Sequence, residues 1–222
     1  MAPKDVALAV ADALFFKFDT EALAALLNED YIQHNPGVPT GAAAIRDVVP
    51  LLREVGFKTT VHRVISEGDL VVLHNTLENA GLFGAPTLVS FDIFRVEDGK
   101  VAEHWDNLQV PPETTASGRS MTDGPTEITD VDKTAANKAV VQGFVDDVFL
   151  GGRLEKAGDY IIAEPGAYQQ HNPMVADGLE KLGEAFANMQ KAGSAFSFSK
   201  LHMIVAEGNF VFTITEGAVG GT

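Results

Sequence analysis

The sequence predicts an α+β protein made of two tandem domains, and three observations predict it. The hexapeptide "YIQHNP" at 31–36 returns as "YQQHNP" at 168–173. Other positions return in step with it: Gly41 and Gly56 correspond to Gly178 and Gly193, and "HRVISEGD" at 62–69 corresponds to "HMIVAEGN" at 202–209 after a short insertion. Within a copy, helical periodicity comes first and alternating β-rich runs follow. That order gives helices on one face of a curved antiparallel sheet.

In the first copy, Val6, Val10 and Leu14 recur four residues apart and mark a helix over 4–18; "TEALAALLN" at 20–28 continues as a second short helix. "YIQHNPGVPTG" is extended and turn-rich because Pro36 and Pro39 bar a helix. Thr40 is placed to cap the next helix, 42–55, which Gly56 ends and Pro50 should kink. Four strands follow as two hairpins: "KTTVHRVI" and "LVVLHNTL" around "SEG", then "VSFDIFRV" and "KVAEHWDNL" around "EDG".

The segment 110–133 is rich in Pro, Ser, Thr and Gly and reads as a linker. The expected division is a complete domain at 1–112, a linker at 113–132 and a truncated domain at 133–222. The second copy has no counterpart of "FDIFRVEDGKVAEHWDNLQ", so its sheet is expected to lack its last strands and to leave an edge unpaired.

Composition narrows the partners. A net charge of −15 with no basic cluster argues against nucleic acid and against anionic membrane surfaces. There is no cysteine, which removes disulfides, thiolate catalysis and Cys-ligated zinc. Asp5 and Asp12 interrupt the N-terminal apolar run, unlike a signal peptide, so a cytoplasmic location is expected. The expected partner is a small hydrophobic molecule. No G-x-x-x-x-G-K-[ST], G-x-G-x-x-G after a strand or G-x-S-x-G occurs.

Strand register decides which side chains meet. Gly stands third in both loops, which favours three-residue connections with a left-handed glycine. "EDG" then pairs Val96 with Lys100, Phe94 with Ala102, Asp92 with His104 and Ser90 with Asp106. A two-residue Asp98–Gly99 turn would instead pair His104 with Ile93. The same logic on "SEG" sets His62 opposite Val72 and Thr60 opposite His74. One sheet face would thus collect His62, His74, Asp92, His104 and Asp106. Trp105 falls on the opposite face with Phe91 and Ile93, and that apolar face needs cover, for which packing between domains or in a homodimer is the expected use.

The segments "YIQHNP", "VISEGDLVVLHNT" and "FDIFRVEDGKVAEHWDNLQ" resemble the SnoaL-like polyketide cyclase branch of the nuclear-transport-factor-two-like (cystatin-like) superfamily. A tandem of two such domains is similar to bacterial proteins assigned to aldol condensation. The resemblance implies a cone-shaped fold, a bent sheet wrapped around helices with a pocket at its open end. It implies no metal and no organic cofactor. It also places an Asp base near the end of the last strand, the position of Asp106, and a second polar pocket residue at Asp92.

The expected activity is that of a cofactor-independent cyclase or isomerase of aldol-condensation type, acting on a small carbonyl or polyketide-like compound. Asp106 would abstract a proton beside a carbonyl, and His104 oriented by Asp92 would donate to the oxyanion. His34, Asn35, His74, Tyr31 and His62 would line the substrate pocket, Tyr31 as a core anchor with its hydroxyl near the mouth. His34 and Asn35 recur as His171 and Asn172 in a copy without the Asp pair, a pattern that also fits a turn held by backbone bonding. The competing reading is a non-catalytic module of the same fold that binds a hydrophobic ligand or serves dimerisation. The histidines and carboxylates could supply a two-His, one-carboxylate metal set, but no close His–His spacing supports one, and no metal is expected.

Overall fold

The structure is a computed structural model and describes residues 1–194 and 196–220. The chain divides into two compact units: unit 1 comprises Met1–Pro111 with Gly124–Glu127, and unit 2 comprises Pro112–Asp123 with Ile128–Thr222. The connecting segment is hydrogen-bonded within each unit. Pro125 O accepts from Arg63 Nε at 2.7 Å in unit 1, while Ala116 N donates to Pro173 O at 2.9 Å in unit 2.

Unit 1 is α+β. Helix α1 (Pro3–Ala11) runs into a wide π-helical turn at Asp12–Phe16. Helix α2 (Thr20–Leu26) starts where Asp19 Oδ1 accepts from the backbone of Glu21 and Ala22 at 3.1 and 2.9 Å. Strand β1 (Leu27–Gln33) follows directly, then α3 (Ala42–Glu54), β2 (Lys58–Glu67), β3 (Leu70–Glu78), β4 (Thr87–Glu97) and β5 (Lys100–Gln109). The sheet order is β1-β5-β4-β3-β2. Every neighbour pair is antiparallel except β1 with β5, which is parallel.

The parallel edge strand is a correction to the sheet expected from sequence. Leu27 and Tyr31 are the only buried residues of β1, so it carries no alternation that would mark it. The α2 helix accordingly stops short of the expected residue 28. Helix α3 runs unbroken through Pro50. Thr40 does not cap it. Its hydroxyl instead accepts from Gln33 N at 3.0 Å and donates to Tyr31 O at 3.1 Å, pinning the turn between β1 and α3.

Both hairpins correct the expected register. Glu97 pairs with Lys100 and Glu67 with Leu70, so each turn has two central residues rather than three. Asp98 and Gly99 both take positive φ, +51° and +79°, the type I′ pattern whose twist matches that of the strands. Each hairpin then inserts one unpaired residue. Ala102 bulges between the pairs Val96–Val101 and Arg95–Glu103, and His62 bulges between Val61–Asn75 and Arg63–His74.

The helices cover one face of this sheet. Val6, Val10, Leu23, Val49 and Leu52 from the helices and Val71, Leu73 and Val101 from the strands are almost fully buried in one cluster. Leu73, Asn75, Ser90, Asp92, Phe94, His104 and Asp106 share that face by strand alternation and pairing.

Unit 2 holds α4 (Thr134–Phe144), a π-helical turn at Val145–Leu150, α5 (Leu179–Lys191) and the antiparallel pair β6 (Phe196–Glu207) and β7 (Phe210–Val219). Its "YQQHNP" segment is not a strand, since the described residues of unit 2 offer no counterpart of β5 to pair with it. The chain direction into α5 is nevertheless set as it is into α3. Gly41 has φ +98° and ψ 144°, and Gly178 has φ +98° and ψ 149°, a region almost confined to glycine. Each donates its N–H back to the tyrosine of the hexapeptide, at 2.8 Å to Tyr31 O and 3.0 Å to Tyr168 O. Nothing would crowd a Cβ on Gly41, so a substitution there meets backbone strain alone. Gly41→Ala is therefore expected to cost about 1–3 kcal/mol, seen in urea unfolding as a lower midpoint with an unchanged slope. An unshifted midpoint would contradict the account of this turn.

Candidate active site

The inner face of the sheet opens into a cavity between helices and strands, about 520 Å³ of empty space with its open mouth included. Its wall is largely apolar, with Phe15, Ile45, Leu52, Phe57, Leu77 and Phe83 among the lining residues. The polar lining is confined to Gln33, Asp92, His104 and Asp106. An outer vestibule edged by Asn35, Pro36, Leu51 and Leu82 also reaches Asp106, which thus stands where the two spaces meet. No Lys or Arg lines either one.

The bulge at Ala102 brings the titratable groups together. It pairs Asp92 with Asp106 and Phe94 with His104 across the hairpin. His104 Nε2 lies 3.1 Å from Asp92 Oδ1, and Nδ1 lies 3.0 Å from Gln33 Oε1. The other oxygen of Asp92 accepts from Asn75 Nδ2 at 2.7 Å and from Ser90 Oγ at 2.8 Å. Asp92 and His104 are buried.

Asp106 is half-buried and accepts from Asn35 Nδ2 at 2.6 Å. Burial pushes its carboxyl above the ordinary range. The Asn35 hydrogen bond and the nearby His104 oppose the rise, and the negative charge of Asp92 adds to it. Tyr31 is buried behind the cluster; desolvation, with help from Asp92 and Asp106, pushes its phenol far up. Its hydroxyl accepts from Gln33 Nε2 at 3.1 Å, so it supports the site without lining the cavity.

The expected pocket residues divide between the two faces. Asp92, His104, Asp106 and Asn35 come together, with Tyr31 one side chain removed. His34, His62 and His74 do not join them. His34 stacks on Trp105 with centroids 4.8 Å apart and planes 5° apart, and its Nε2 lies 2.7 Å from Glu103 Oε1. His74 pairs with Phe91 and stacks on it at 4.3 Å, so alternation turns it away from Asp92. Its Nδ1 faces Arg63 Nη1 at 3.2 Å. His62 is the bulged residue of β2. It bonds Thr76 Oγ1 at 2.8 Å, and its ring lies 5.8 Å from that of His74. Burial and the Arg63 charge lower its pKa.

Gln33, Asn75 and Ser90 belong to the site and were not found from sequence. Ser90 had been placed on the right face, and Gln33 lies inside the repeated hexapeptide, so both had a signal. Asn75 had none, since its face follows from the pairing of β3 with β4, which sets it opposite Ser90.

Asp92, His104 and Asp106 also offer one ligand atom each within 4.8 Å of one another, the one such group among the described residues. Their atoms are already engaged by the amides of Asn35 and Asn75, the hydroxyl of Ser90 and the His104–Asp92 contact. A cation bound at Asp92 and His104 would compete with these contacts.

Residues 9–104 match the family model of the SnoaL-like domain. Unit 1 is therefore a SnoaL-like domain. No curated protein matches the chain. Among solved structures it is similar to TsrD from Streptomyces laurentii, at 25% identity over 47% of this chain and 86% of that one, with a TM-score of 0.41. IdmH from Streptomyces antibioticus, described as a candidate polyketide cyclase, shows 22% identity over 49% of this chain and 92% of its own, with a TM-score of 0.41. A candidate polyketide cyclase from Sinorhizobium meliloti shows 18% identity over 46% and 94%, also with a TM-score of 0.41. No helix among the described residues is long and apolar enough to cross a membrane.

The balance at Asp106 is testable. Asn35→Ala removes the donor that holds the ionised carboxylate. The Asp106 carboxyl should then titrate higher than in the wild type, read by ¹³C NMR of the side-chain carboxyl. Since the native group binds its proton more tightly than the unfolded chain does, it contributes a stability that declines as pH rises from the ordinary Asp range through its raised folded value. An unmoved or lower midpoint in Asn35→Ala would show that the 2.6 Å contact does not control Asp106.

Proposed function

We propose that unit 1 is a cofactor-independent cyclase or isomerase of aldol-condensation type, acting on a small, largely apolar carbonyl compound. The observation that carries this reading is the Asp106 carboxylate, raised by burial and set at the junction of an apolar cavity and its vestibule. A carboxylate raised in this way is a better base toward a carbon-bound proton. Asp106 removes the proton beside the substrate carbonyl, and the substrate's apolar body occupies the inner cavity.

His104 stabilises the enolate oxygen. Both of its ring nitrogens are engaged, one by Gln33 and one by Asp92, so it acts chiefly through its charge and not as a free donor. Asp92 is its counter-ion, held in turn by Asn75 and Ser90. Asn35 positions the base. With two carboxylates and no Lys or Arg in the lining, the site favours a neutral substrate over a carboxylate or phosphate ester.

Unit 2 is read as a second copy of the domain, since it keeps the hexapeptide and the α5 entry glycine, and the proposed chemistry concerns unit 1.

The test is α-proton exchange on a panel of apolar β-dicarbonyl compounds in deuterated water, followed by NMR. The wild type should accelerate exchange for some member of the panel. Asp106→Asn should lose about 10²–10⁴-fold of that rate, the usual worth of a positioned base, while melting as a folded protein. Full exchange activity in Asp106→Asn would end the assignment.

A further inference from the structure

We infer that Gln33 is a positioning residue that holds a proton on His104 Nδ1 and so keeps the imidazole doubly protonated against Asp92; the role in turnover rests on the proposed reading of Asp106 as base with His104 as the charge beside it. Donors and acceptors around the ring fix where its protons lie. The backbone N–H of Asn35 can only donate, and it lies 2.9 Å from Gln33 Oε1. At the other end of the same amide, Nε2 donates to Tyr31 Oη at 3.1 Å. Flipping the amide would set N–H against N–H at Asn35, so its orientation is fixed. Oε1 is then an acceptor toward every neighbour, and His104 Nδ1, 3.0 Å away, must donate to it.

The second ring nitrogen faces Asp92 Oδ1 at 3.1 Å. That oxygen belongs to a group whose other oxygen takes hydrogen bonds from Asn75 and Ser90, an environment of donors suited to a carboxylate. Nε2 must donate there as well. The ring is clamped between two acceptors and carries both protons. The ionisable groups facing it are Asp92 on β4, Asp106 on its own strand and Tyr31 on β1; the helices contribute apolar side chains such as Phe15, Ile45 and Leu52 to this cavity.

Unit 2 supplies an internal control. Gln170 Nε2 donates to Tyr168 Oη at 3.0 Å and Asn172 N donates to Gln170 Oε1 at 2.8 Å, the same two bonds made with no strand paired to the hexapeptide among the described residues. The hexapeptide turn therefore orients its glutamine amide by itself. In unit 1 that pre-set oxygen is what His104 meets.

The experiment is a ¹⁵N–¹H NMR titration of the His104 ring in the full chain, for the wild type, Gln33→Met and Gln33→Glu. The wild-type ring is expected to show both nitrogens protonated at neutral pH. Gln33→Met keeps the length and removes the acceptor. The ring should then lose its Nδ1 proton first, seen as the Nδ1 resonance moving to its unprotonated position at neutral pH while Nε2 keeps its proton. Gln33→Glu restores an acceptor and should keep the doubly protonated ring. A wild-type ring that is neutral at neutral pH, or an Nδ1 proton that persists unchanged in Gln33→Met, would overturn the inference. The wild-type spectrum decides even if a variant fails to fold. None of these readouts uses turnover, so failure of the cyclase reading would appear in the exchange assay while the ring spectrum stood.

Discussion

Ala102 has no partner on β4, and that one unpaired residue decides which side chains of β5 face the cavity. The Asp98–Gly99 turn by itself would pair His104 with Ile93 and Asp92 with Trp105. His104 and Asp106 would then lie on the face away from the helices, and the indole would fill the cavity. The bulge shifts the pairing by one and reverses the outcome: Phe94 meets His104, Ile93 meets Trp105, and Asp92 meets Asp106. The contacts from His104 to Asp92 and Gln33 both follow from that shift. So does the reach of Asn35 to Asp106, since β1 pairs Gln33 with His104 and His34 N donates to His104 O at 3.0 Å.

The repeated hexapeptide is the second fixed part. In both units the glutamine accepts from the asparagine N–H, the glutamine donates to the tyrosine, and the asparagine side chain accepts from the backbone two residues on. These bonds are local and need no sheet. In unit 1 the same turn leads off β1, and its Gln33 and Asn35 each have an atom to spare for the neighbouring strand. A rigid, self-bonded turn is a good support for a site because its side chains are oriented before anything is bound.

Much of this was legible in the sequence, for reasons that can be traced. Helices before strands, the glycines after the strands and the alternating apolar runs are local signals, and the local elements followed them. The grouping of Asp92, His104 and Asp106 on one face was also read, but through a three-residue loop that the structure does not have. Two shifts compensated: the turn is one residue shorter and the strand one residue longer. In the first hairpin the shorter turn and the bulge at His62 do not restore the expected face for the histidines, so His62 and His74 lie opposite the site. A bulge leaves almost no mark in a single sequence, because it depends on how two strands fit and not on either alone. The parallel pairing of β1 was invisible for a similar reason: with only Leu27 and Tyr31 buried, its strand character comes from β5.

On the proposed reading of Asp106 as base and His104 as cation, the arrangement would also let a site with two carboxylates favour making another anion. When Asp106 takes a proton from a neutral carbon acid, no net charge enters the cavity; one negative charge leaves the carboxylate and appears on the enolate oxygen. The cost is then set by the difference between the two positions, and in an apolar surrounding such differences are large. Asp106 begins in a place where burial and Asp92 both disfavour its charge. A charge that moves toward the ring of His104 moves toward the one cation that the cluster can supply, held in place before the reaction by Gln33 and Asp92 and needing no reorientation. On this account Asp92 contributes by keeping His104 charged and by making Asp106 a stronger base at the same time, and a neutral residue at position 92 would weaken both.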